Sequence, residues 1–93
     1  MKAFKFTVQF NPSANFNAEM LKNAFRGHLA ETNIPMLDFQ CDDNSCTCIA
    51  QVVELPNGFP FRVMILSGLD RVFENMDCQL TCIPAEGMEF IEY

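Results

Sequence analysis

The chain lacks every compact signature of catalysis. It has one histidine, no glycine-rich phosphate loop, and no pair of cysteines at the Cys-x2-Cys spacing of a zinc knuckle. No apolar run exceeds the four residues Val63-Met64-Ile65-Leu66. A membrane span needs about 20 such residues, and the N-terminal stretch alternates where a signal peptide would be continuously apolar. The expected compartment is therefore the cytoplasm. Basic residues are also scarce, six Lys and Arg against twelve Asp and Glu in 93 residues, for a net charge of −6. There are no repeats, linkers or low-complexity tracts, so residues 1–93 are expected to form one domain with one core.

What the chain does have is a strongly patterned beginning. Phe4, Phe6, Val8 and Phe10 alternate with Lys5, Thr7 and Gln9, the period of a half-buried strand. Asn11 to Asn15 is turn chemistry. A helix is expected from Ala18 to Glu31, capped by Asn17, with Leu21, Ala24, Phe25, His28 and Leu29 on one stripe. Asn33 suits the left-handed position after it, and Pro35 prevents continuation. Strands are then expected over Met36–Cys41 (Leu37, Phe39 and Cys41 inward), Cys46–Leu55 and Phe59–Leu66. The last should carry Phe59, Phe61, Val63 and Ile65 on one face. Ser67 is read as the cap of a second helix holding Leu69, Val72, Phe73 and Met76. A strand over Cys78–Ile83 and a short acidic strand over Met88–Tyr93 complete the chain.

The expected fold is α+β, a two-layer sandwich with two helices on one face of a mainly antiparallel sheet of five to six strands. The order is β-α-β-β-β-α-β, with a further terminal strand.

Cys41, Cys46, Cys48, Cys78 and Cys82 share the phase of apolar neighbours, so they are assigned to core packing. The rival is a small zinc-binding or thiol-redox module built on the same five residues. His28 lies on the apolar stripe of the first helix and is expected to be a half-buried packing residue. Asp42-Asp43-Asn44 lacks the glycine and distal glutamate of a calcium loop and reads as a hairpin tip. No cofactor or metal is expected.

Asn57-Gly58-Phe59-Pro60-Phe61-Arg62-Val63 resembles the aromatic segment of RNA-recognition motifs. Asn57 stands where that pattern has a basic residue, Pro60 where it has a small one, and Arg62 where it has an aliphatic. Phe59 and Phe61 are therefore expected to pack under the helices, and free nucleic acid is not an expected ligand.

Charge is unevenly placed. Residues 1–37 hold four cations against two acids, whereas residues 38–93 hold two cations against ten acids. An acidic surface repels phosphate backbones and attracts basic proteins. The partner-binding candidates are Asp42, Asp43, Asp70, Glu74, Asp77, Glu89 and Glu92, with Ile91 and Tyr93 as apolar anchors. Lys22 and Arg26, one turn apart on the first helix, are candidates for a different contact.

In size, acidity and lack of catalytic motifs the chain resembles small phage-encoded inhibitors of the anti-CRISPR type. No residue-level motif underlies the resemblance, so no functional residues carry over. It implies a non-enzymatic protein that blocks a basic, nucleic-acid-binding surface of a larger protein or ribonucleoprotein complex in the host cytoplasm, without a membrane partner.

Overall fold

A computed structural model describes the backbone of residues 1–93 and every side chain except that of Asn57, the first position of the RNA-recognition comparison. The fold is the α+β sandwich. Strand β1 (Lys2–Asn11) leads into helix α1 (Ala18–Ala30), the hairpin β2 (Met36–Cys41) and β3 (Ser45–Gln51), helices α2 (Phe61–Leu66) and α3 (Leu69–Asn75), and strands β4 (Gln79–Cys82) and β5 (Met88–Glu92). All pairings in the five-stranded sheet are antiparallel.

β1 is the central strand. β3 pairs along one edge from Ala3 to Gln9. The other edge is divided: β5 takes Lys2 to Phe6 and β4 takes Gln9 to Asn11. A 3-10 turn (Ala85–Gly87) fills the gap at Thr7, where a Cβ on Gly87 would lie 3.2 Å from the Thr7 Cβ. Glycine there leaves Thr7 and Pro84 uncrowded where the broken strand closes against β1.

The alternation in β1 does what its period implies. Phe4, Phe6, Val8 and Phe10 are all at most 1 % exposed, and they face the helices. Phe25 of α1 stacks on Phe6 at 6.2 Å and meets Phe73 of α3 edge-on at 5.6 Å. Phe73 in turn lies 5.2 Å from Phe10. This aromatic layer joins sheet to helices.

α1 begins where the side-chain oxygen of Asn17 accepts from the amides of Glu19 (2.9 Å) and Met20 (3.1 Å). It ends with Asn33 left-handed at φ 59° and the Ile34 amide donating to the Leu29 carbonyl, the Schellman closure.

Three expectations are corrected. Phe59–Leu66 is not a strand: Phe61–Leu66 is helix α2. Phe61, Met64 and Ile65 satisfy helical spacing as well as part of a period-2 pattern, and short apolar runs do not separate the two. Ile65 is fully buried and Phe61 meets Phe4 edge-on at 6.2 Å, whereas Val63 is 52 % and Phe59 47 % exposed. Ser67 does not cap the next helix. It closes α2 through its amide on the Val63 carbonyl, and Gly68, at φ +84°, turns the chain into α3. In β2, a register shift between Met36 and Asp38 puts Met36 rather than Leu37 against the core.

The helical placement of Val63 and Ile65 predicts unequal costs. Val63→Lys should change stability by no more than about 0.5 kcal/mol, and Ile65→Ala should cost about 2–5 kcal/mol. Urea unfolding of both variants checks this. A strand would have given the two positions similar costs.

Candidate functional site

The cysteines divide by position. Cys46 and Cys48 sit on the core face of β3, at 2 % and 0 % exposure, opposite Val8 and Phe6 of β1. Cys78 is also buried, and its thiol donates to the Met76 carbonyl at 3.4 Å. Cys41 is half-buried and its thiol donates to the Asp42 carbonyl at 3.3 Å. Cys82 departs from the packing assignment. It pairs with Gln9 on the open face of the sheet and is exposed, because the register shift between Gln9 and Phe10 changes which β4 residues face inward.

All five thiols are free. Among the described residues, no group of three His, Cys, Asp or Glu side chains is placed to hold a metal ion.

Burial raises the Cys41 thiol pKa, and the nearby Asp42, Asp43 and Cys78 raise it further. Burial pushes Cys48 up to about 12, with Asp38 adding to it, and drives Cys46 higher still with help from Cys41 and Cys48. Thiolate is the reactive form, so these groups are held in their unreactive state.

A folded pKa raised above the unfolded value gives stability that is present below the unfolded pKa and lost as pH rises toward the folded one. Stability should therefore fall from about pH 9 to about pH 12 as Cys48 ionises in the unfolded chain, by up to about 1.4 kcal/mol per pH unit per thiol. Denaturant midpoints across that range, in wild type and Cys48→Ala, measure it. The variant should show a shallower loss.

His28 is the half-buried residue its stripe position implies. Its Nε2–H donates to the Ile65 carbonyl at 3.1 Å, which ties α1 to α2. Among the described residues, no cysteine lines the cleft beside it. Phe59 follows the 3-10 segment Pro56–Gly58 and Phe61 opens helix α2, so they do not form the aromatic platform on a sheet face that RNA-recognition motifs use.

Topology decides which acidic candidates share a surface. The Phe10 amide donates to the Asn44 carbonyl, which fixes the β2–β3 tip at the end of β1. Gln79 pairs with Asn11, which brings the exit of α3 to the same end. Asp42, Asp43 and Asp77 are therefore gathered there, all exposed, and Asp77 adopts φ 56° as the chain leaves α3. Glu92 pairs with Lys2 at the far end of β1, about 30 Å away at strand rise. There it bonds the N-terminal ammonium at 3.3 Å.

Glu89 lies opposite Lys5 on the open sheet face. Asp70 stands in the first turn of α3 and Glu74 is exposed further along it. On α1, Arg26 is exposed and bonds Asn23 at 3.2 Å, while Lys22 is half-buried. Tyr93 is 56 % exposed and Ile91 is half-buried.

Arg71 and Glu31, which line the cleft beside His28, belong to no motif and were not among the candidate residues. No spacing rule links residues on separate helices. No family model, curated protein or solved structure matches the chain. Among the described residues, no helix is long and apolar enough to cross a membrane.

Proposed function

We propose that the chain is a non-enzymatic inhibitor that binds a basic, nucleic-acid-holding surface of a larger protein or ribonucleoprotein complex and occludes it. An anti-CRISPR protein encoded by a phage, acting in the host cytoplasm against target-DNA binding by a CRISPR effector, is the form this reading takes. The supporting observation is the convergence of Asp42, Asp43 and Asp77, from separate elements, at one end of a chain with net charge −6. Complementary charge steers encounter with a basic groove and raises the association rate at low salt. The same carboxylates repel the phosphates that the groove would otherwise hold, which makes occlusion competitive by electrostatics as well as by volume.

The reading is tested by recovering the bound complex from the native host and measuring whether the recovered complex takes its DNA or RNA target. A saturating amount of this protein should prevent that uptake. A complex that takes its target unimpeded while the protein stays bound contradicts the proposal.

A further inference from the structure

A cleft of about 350 Å³ opens where the C-terminal end of α1 meets the junction of α2 and α3. Small-molecule sites run from roughly 300 to 1,000 Å³ and combine an apolar wall with a few polar groups. Here Leu29, Met64 and Val72 supply an apolar wall, Arg71 and Glu31 the formal charges, and His28 an imidazole, with the neutral polar side chains of Thr32, Ser67 and Asn75 completing the lining.

Arg71, Glu31 and one nitrogen of His28 keep free hydrogen-bonding capacity. Among the described residues, Arg71 and Glu31 make no ion pair and no side-chain hydrogen bond. The Nε2–H of His28 is used by the Ile65 carbonyl, so in the neutral ring Nδ1 is a bare acceptor. The ring is seated on Gly68, where an added Cβ would come within 3.1 Å of Cε1 and 3.7 Å of Nδ1. Left-handed backbone at φ +84° also favours glycine there. The imidazole thus has a fixed seat with one nitrogen unused.

One guanidinium, one carboxylate and one acceptor nitrogen around an apolar wall define a specific complement. We propose that this cleft binds a free α-amino acid with an aliphatic side chain. Its carboxylate sits on Arg71, its ammonium faces Glu31 and His28 Nδ1, and its side chain lies against Leu29, Met64 and Val72. A phosphate is a poorer fit, because Glu31 repels a second negative charge and only one cation lines the cleft. The site is independent of the acidic end of the molecule and of the inhibitor reading.

The test is a two-dimensional amide NMR titration of the full chain with L-leucine, leucinamide, N-acetyl-leucine and inorganic phosphate as separate probes. L-leucine at millimolar concentration should shift amides around His28 and from Ser67 to Val72. Leucinamide lacks the carboxylate and N-acetyl-leucine lacks the ammonium, and each should bind at least about tenfold more weakly. Arg71→Gln, an exposed position, should weaken L-leucine at least about tenfold, leave leucinamide unchanged and leave the melting temperature unchanged. Glu31→Gln should weaken leucinamide and leave N-acetyl-leucine unchanged. No shifts with L-leucine, shifts outside the cleft, equal shifts from all leucine probes, or stronger binding of phosphate would each overturn the assignment.

Discussion

Replacing Phe25 with alanine is expected to destabilise the protein by about 3–5 kcal/mol. Phe25 is 1 % exposed and its ring meets Phe6, Phe39 and Phe73 at 6.2, 5.3 and 5.6 Å. It joins the central strand, the hairpin and α3, so truncation opens a cavity with walls on three elements. Those walls cannot all collapse without breaking sheet pairing. A chain of this size has a total stability of roughly 5–14 kcal/mol, so the loss is about a fifth of it or more. The melting temperature should fall by at least about 12 °C. Thermal unfolding followed by circular dichroism measures this directly. A drop of only a few degrees would mean that the aromatic layer is not the joint between sheet and helices.

Reversing the charge of Asp42, Asp43 and Asp77 together to lysine is expected to weaken partner binding by about 100-fold or more in 0.1 M salt. Like charges placed across an interface cost several kcal/mol. All three residues are exposed, but Asp77 sits at φ 56°, where lysine is less favoured than aspartate, so a stability loss of about 1 kcal/mol is expected and the melting temperature is the control. The same reversal at Glu89 and Glu92, on β5, should have a much smaller effect. Glu92 lies about 30 Å from the acidic end at strand rise, beyond the roughly 10 Å reach of charge in 0.1 M salt. Surface plasmon resonance against the recovered partner at two ionic strengths separates these outcomes. Equal loss from both sets of reversals would show that net charge alone steers binding and that no end of the molecule is privileged.

The reach of the sequence differed between elements for identifiable reasons. β1 was legible because four apolar residues alternate with polar ones without interruption. α1 was legible because a capping asparagine, an apolar stripe and a proline agree on the same boundaries. α2 was not, because Phe59, Phe61, Val63 and Ile65 satisfy a strand pattern while Phe61, Met64 and Ile65 satisfy a helical one. The need to cover Phe4 decided between them.

The β2 bulge was hidden for a different reason: Leu37, Phe39 and Cys41 alternate faultlessly in sequence, and only pairing with β3 reveals the slip. The candidate surface was legible as an excess of carboxylates and no further. Pairing of β4 with the end of β1 is what brings Asp77 to the hairpin tip, and that contact is long-range. The cleft was invisible because His28, Glu31 and Arg71 are joined only by helix packing.

Competition between this protein and nucleic acid for the recovered partner tests occlusion most directly. Fluorescence anisotropy of a labelled target bound to that partner should fall to the free value as the wild-type chain is added, and the Asp42/Asp43/Asp77→Lys variant should fail to lower it. Anisotropy that stays high with wild type demonstrably bound would contradict the account, because protein and target would then occupy different surfaces.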